Sequence, residues 1–135
     1  LHVRRGDYLA HKESYGLLSR EYYNLAVSKL KRITDVEKLF IFTDSDEILQ
    51  SSDWKFAGVQ VKFVDPRKEL SAADTLRLMS FAKNHIIANS SFSWWGAKMS
   101  KRNGVVIAPQ VWFRAVEQPK NLLPHDWVRS SSFWQ

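Results

Sequence analysis

The sequence predicts a doubly wound α/β domain of Rossmann-like type, and three observations carry that prediction. Short apolar runs such as Leu39-Phe40-Ile41-Phe42 and Val105-Val106-Ile107-Ala108 alternate with amphipathic stretches at helical spacing. Strand–helix alternation over most of the 135 residues calls for right-handed crossovers and a mostly parallel sheet covered on both faces. Polar residues collect where strands end, in Arg4-Arg5-Gly6-Asp7, Thr43-Asp44-Ser45 and Asn89-Ser90-Ser91-Phe92-Ser93. In open parallel sheets that edge binds ligands.

Each element has its local reason. A first strand over residues 1–3 leads into a polar loop over 4–18. Ser19 is placed to cap a helix over 20–31, whose Tyr23, Ala26, Val27 and Leu30 share one face. A second strand covers 38–42. Asp46 is placed to cap a short helix ending at Gln50, and a third strand over 59–64 is stopped by Asp65-Pro66. Ser71-Ala72-Ala73-Asp74 is a capping box with Asp in the Glu position, opening a helix over 72–83. A fourth strand over 85–88 passes through Asn89-Ser90-Ser91 into a helix over 92–101, which Asn103-Gly104 ends before a fifth strand over 105–108. Beyond Pro109 the periodicity fades, and Ser130-Ser131-Ser132 reads as a surface segment.

Composition narrows the function classes. Hydrophobic residues at 44% and charged residues at 25% exclude a disordered chain. The absence of cysteine excludes a disulfide scaffold, a thiolate zinc site and a cysteine nucleophile. A net charge of +6 favours an anionic partner. Nucleic acid is the main rival on composition, but the basic residues form no dense stripe and acidic residues sit among them, so no nucleic acid is expected. No apolar run approaches the roughly 20 residues that span a bilayer. The chain opens at Leu1-His2-Val3 with neither an initiator Met nor a signal peptide, and is expected to be a piece of a longer protein. The P-loop pattern, G-x-G-x-x-G and H-E-x-x-H are all missing.

The strand-end residues suggest chemistry for a nucleotide. Arg4 and Arg5 offer planar donor forks to diphosphate oxygens. Ser90, Ser91 and Ser93 stand at a strand-to-helix turn, where free amides and the helix dipole attract anions. Asp44 would repel a phosphate and is better suited to accept hydrogen bonds from a ribose or from base N–H groups. His2 is read either as orienting a base or phosphate or as a structural histidine. Asp44-Ser45-Asp46 is a pattern that can hold a divalent cation. Because Asp46 is placed as a cap and two arginines already supply charge, no metal is expected. Trp94-Trp95 is read as an apolar wall for a sugar or base, or as packing of a helix start against the sheet.

His2-Val3-Arg4-Arg5-Gly6-Asp7-Tyr8, Phe42-Thr43-Asp44-Ser45 and the run from His85 to Ala97, with its Asn89-Ser90-Ser91-Phe92-Ser93-Trp94-Trp95-Gly96 core, together resemble the three motifs of the α-1,2-fucosyltransferases of glycosyltransferase family 11. The late Pro109, Trp112-Phe113 and Pro124-x-x-Trp127 extend the resemblance over nearly the whole chain. It implies the C-terminal half of a GT-B enzyme, transferring L-fucose from GDP-β-L-fucose with inversion to the 2-hydroxyl of a terminal galactose, with no cofactor. It implies Arg4 at the β-phosphate, His2 and Asp44 near the guanosine, and Ser90, Ser91 and Ser93 near the diphosphate or ribose, with Arg5 and Asp7 joined as an ion pair. Asp7 and Glu13 are the carboxylates available as base, although a carboxylate engaged by an arginine is a poor one. Family members carry an N-terminal acceptor half before the first motif, so the partners implied are GDP-fucose, a galactose-terminated glycan and that missing half. The setting implied is the bacterial cytoplasm or the cytoplasmic face of the membrane, or else a Golgi lumen. A GDP-sugar or nucleotide binding domain without transferase activity is the alternative function, and a basic nucleic-acid-binding module comes third.

Overall fold

The computed structural model describes residues 1–68 and 70–135. Along the chain run β1 (His2–Val3), a short 3-10 helix (Gly6–His11), α1 (Arg20–Ile33), β2 (Lys38–Thr43), α2 (Asp46–Gln50), β3 (Gln60–Val64), α3 (Ala72–Ser80), β4 (His85–Ile86), α4 (Ser91–Lys98), β5 (Val106–Pro109) and β6 (Val128–Ser130). The strands form two three-stranded sheets ordered β1-β2-β3 and β4-β5-β6, with every ladder parallel. Parallel α/β architecture is therefore observed, but as two ladders rather than one continuous sheet. The edge strands β1 and β4 are two residues each, and Leu1 and His2 face His85, Ile86 and Ile87 across a cavity of about 220 Å³.

One core nevertheless spans both sheets. Tyr22, Tyr23, Ala26, Val27 and Leu30 of α1 pack with Val3 and Ile41 of the first sheet and with Ile86 and Ile107 of the second. Tyr22 Oη donates to the Ile87 carbonyl at 2.6 Å, securing α1 to the chain just beyond β4. The residues that follow Ile86 and Ile107 point the other way, as the strand period of two requires. Ile87 and Ala108 meet Ala97 of α4 together with Trp112 and Trp127. The second sheet is thus covered on both faces. In the first sheet the face opposite α1 stays partly open, leaving Phe40 of the middle strand 45% exposed.

Several boundaries differ from the sequence expectation for identifiable reasons. β6 was not expected: Val128, Arg129 and Ser130 are too short a run to show alternation, and only their register with Ile107, Ala108 and Pro109 makes them a strand. Ser130 is fully buried there rather than at the surface. The loop after β1 contains the 3-10 helix. Ser45, not Asp46, caps α2, accepting from the Ile48 N–H at 3.4 Å, because Asp46 turns outward to Arg67. Ser19 occupies the N-cap of α1 but makes no capping bond; its N–H goes to the Phe133 carbonyl. At α3 only half of the expected box forms: Ser71 Oγ accepts from the Asp74 N–H at 3.1 Å, but the Asp74 carboxylate accepts from the Ser71 hydroxyl at 2.6 Å instead of from the Ser71 N–H. No helix is long and apolar enough to cross a membrane among the described residues.

Candidate functional site

The C-terminal ends of β1, β2 and β3 converge on a cleft of about 230 Å³ lined by His2, Arg4, Asp44, Arg67, Thr75 and Phe92, among others. It opens where the chain, having moved outward from β1 to β3, returns to start again at β4. Reversal of strand order of this kind splays the loops apart and leaves room for a ligand.

Arg4 is the centre of its charge network. Its Nη1 pairs with Asp44 Oδ2 at 2.9 Å and its Nη2 with Asp7 Oδ1 at 2.7 Å, while its Cζ lies 5.7 Å from the Tyr8 ring centroid. The ion pair expected between Arg5 and Asp7 does not form, because Arg4 takes Asp7. Arg5 is 6% exposed and turned from the cleft, its Nη1 donating to Gln135 Oε1. What Arg5 supplies is its backbone N–H, which donates to Asp44 Oδ1 at 3.0 Å. Asp44 is therefore held by both carboxylate oxygens. Gly6 makes room for this: a Cβ there would lie 2.3 Å from Asp44 Oδ2.

His2 is 5% exposed, and its Nδ1 has no hydrogen-bond partner among the described residues. Its ring lies 5.9 Å from that of Phe92. Burial, reinforced by the nearby Arg4 charge, pushes its pKa down to about 3, so the imidazole is neutral near pH 7. The unpaired Nδ1 is itself sealed from solvent, so it is a buried polar atom without a partner, and only the remaining edge of the ring reaches the cleft.

Of the serine turn, Phe92 lines the cleft, whereas Ser90, Ser91 and Ser93 do not. Ser93 is fully buried and its hydroxyl donates to the Ser90 and Ala88 carbonyls. Ser91, the first residue of α4, is exposed. The turn is joined to the first loop by other residues: Tyr8 Oη donates to the Asn89 carbonyl at 2.9 Å, and buried Asn89 Nδ2 donates to the Tyr15 and Gly16 carbonyls. Trp94 packs against Trp127 and donates from Nε1 to the Leu122 carbonyl, while Trp95 is 53% exposed. The carboxylates of the D-x-D pattern diverge, Asp44 toward Arg4 and Asp46 toward Arg67. Glu13 pairs with Arg114 at 3.6 Å. Arg67 was not singled out by the sequence; its position directly after Asp65-Pro66 at the end of the third strand was the available signal.

A parallel α/β domain that fixes a guanidinium and a carboxylate at its strand ends is consistent with a glycosyltransferase domain, the class to which comparisons with known proteins assign this chain. The chain belongs to glycosyl transferase family 11, which it matches over residues 1–129. It is 37% identical over 142 aligned positions to the alpha-1,2-colitosyltransferase of Escherichia coli, covering 96% of this chain and 46% of that protein. Against the O-antigen biosynthesis glycosyltransferase WbnK of Escherichia coli it is 32% identical over 134 positions, covering 95% and 43%. The chain thus spans less than half the length of these relatives. No solved structure matches it.

Proposed function

We propose that this chain forms the donor-binding part of an inverting GDP-sugar transferase of GT-B architecture, moving L-fucose from GDP-β-L-fucose to the 2-hydroxyl of a terminal galactose. The observation that carries the reading is the placing of Arg4, Asp44 and the neutral His2 ring in one cleft. Arg4 supplies charge for a diphosphate, and Asp44 with His2 supplies polar edges for a nucleoside. A colitosyl unit is the second reading of the sugar, favoured by the name of the relative at 37% identity. The Escherichia coli relatives also favour a bacterial cytoplasmic or membrane-surface setting over a Golgi lumen.

In this mechanism the acceptor oxygen attacks the anomeric carbon from the face opposite the diphosphate. The carbon–oxygen bond to the β-phosphate breaks and its electron pair leaves with GDP. Arg4 stabilises the charge that develops there, a kind of electrostatic assistance that is normally a large part of catalysis. A β-phosphate oxygen on Arg4 Nη2 would displace Asp7, and the released carboxylate takes the acceptor's proton. Asp7 is suited to that exchange because its side chain is 66% exposed. Glu13 is the other carboxylate of the loop.

Thermal shift tests the donor assignment. GDP and GDP-fucose at about 100 times their Kd are expected to stabilise the chain by about 2.7 kcal/mol, whereas ADP and single-stranded RNA are not. Equal responses to all four would overturn the guanosine reading. Arg4→Ala is expected to abolish the GDP response and leave the unliganded melt within about 1 kcal/mol of wild type. Unchanged GDP affinity would remove Arg4 from the phosphate site. Assay of GDP-fucose and GDP-colitose with a galactoside panel, on a protein that also carries the half present in the relatives, separates the two sugars and separates transfer from binding alone.

A further inference from the structure

We propose that Arg67 is a positioning residue of the same cleft, fixing the Asp44 turn from behind and cancelling carboxylates that would otherwise repel a bound diphosphate. The inference rests on the nucleotide-sugar reading above.

Every guanidinium nitrogen of Arg67 is committed. Nε and Nη2 grip Asp65 as a fork, at 2.8 Å to Oδ1 and 2.9 Å to Oδ2. Nη2 also reaches Asp46 Oδ1 at 2.6 Å, and Nη1 donates to the Asp44 backbone carbonyl at 3.2 Å. Four of its five N–H donors are thereby used on the protein's own oxygens, so its main work is on those loops, with one Nη1 N–H left over. It ties the loop after β3 to the loop after β2. Asp44 is consequently held on two sides, its carbonyl by Arg67 and its carboxylate by Arg4 and the Arg5 N–H.

The electrostatics point the same way. Asp44 lines a cleft that is to receive an anion, Asp46 and Asp65 stand one residue back from it on Arg67, which also lines it, and Asp7 adds a fourth carboxylate on Arg4. Arg67 holds the Asp65 carboxyl down to about 2, chiefly through their side-chain hydrogen bonds, so that carboxylate is charged at any working pH. Without Arg67, Asp46 and Asp65 would stand unneutralised close behind the cleft wall, within Coulomb reach of a bound diphosphate. Lysine is a poor replacement: one ammonium carries the charge but cannot form the carboxylate fork and reach the carbonyl together.

Calorimetric titration of GDP and of guanosine into wild type, Arg67→Ala, Arg67→Lys and Arg67→Ala/Asp46→Asn tests this. Arg67→Ala is expected to weaken GDP about tenfold and guanosine clearly less, since guanosine carries no phosphate to repel. Adding Asp46→Asn is expected to recover several-fold of the lost GDP affinity, a rescue that a purely structural role for Arg67 would not produce. Arg67→Lys should fall between wild type and Arg67→Ala, and it carries the comparison of GDP with guanosine should Arg67→Ala fail to fold. GDP binding as tight in the Arg67 variants as in wild type, or equal losses for GDP and guanosine, would overturn the proposal. Wild type that binds no GDP would overturn the nucleotide-sugar reading itself, and this inference with it.

Discussion

At the scale of single residues, the site is a set of groups whose usual freedom has been removed. His2 has lost its solvent, Asp44 is held at both oxygens, and Arg4 is held by two carboxylates. The His2 arrangement has a pH signature. Burial, with the Arg4 charge, lowers the folded pKa to about 3 from an ordinary value of 6.5, so the unfolded chain takes up a proton that the folded one refuses. This destabilisation is absent well above pH 6.5, and it grows as pH falls from there toward 3. Between pH 7 and 5 His2 alone is expected to cost about 2 kcal/mol. Burial lowers the His85 pKa as well, adding a loss of the same sign. Urea denaturation of wild type and His2→Gln across that range checks the point; His2→Gln should flatten the slope, and parallel profiles would refute it.

Helix starts show how elements gain or forgo stability. Ser71 and Ser19 occupy the same position before α3 and α1, yet only Ser71 caps. Its hydroxyl accepts the Asp74 N–H, whereas Ser19 Oγ is buried without a partner among the described residues. Ser71→Ala is therefore expected to cost about 1 kcal/mol, and Ser19→Ala close to nothing, or to stabilise by removing a buried polar atom that has no bond. Chemical denaturation of both variants compares them directly; equal losses would show that Ser19 caps in solution. Gly104 shows a different constraint at an element boundary. A Cβ there would meet the Lys83 carbonyl at 1.8 Å, so the segments entering β4 and β5 can approach only over a glycine.

At the scale of the molecule, α1 and the C-terminal segment join the two sheets. β6 completes the second sheet on β5, the Leu18–Trp134 bridge and the Ser19 N–H to Phe133 carbonyl bond return the chain end to the start of α1, and Gln135 receives Arg5. A chain ending at residue 126 would expose Ile107 and the underside of α1. It is expected to lose its near-UV tryptophan signal and its cooperative melt while retaining helical far-UV dichroism. A sharp melt close to that of the intact chain would show that the last nine residues are dispensable.

The sequence by itself determined the alternation of strands and helices, because apolar periodicity and caps are local properties carried by adjacent residues. It also determined the family, through the runs around Arg4, Asp44 and Asn89. It marked Arg4, Asp44 and His2, which the structure brings to one cleft, since the loops at the strand ends of a parallel sheet gather together. Only the tertiary structure decided which of the polar residues face the cleft. Arg4 and Arg5 are neighbours of the same chemistry, yet one lines the cleft and the other is buried against Gln135, 130 positions away. Ser93 reads like a ligand and spends its hydroxyl on the carbonyls of its own turn. Arg67, which no motif marks, joins the site because Asp44, Asp46 and Asp65 surround it in space. The physical reason is common to all three: a polar side chain points wherever its partners satisfy it, and in this fold those partners are set by how the strands and loops come together.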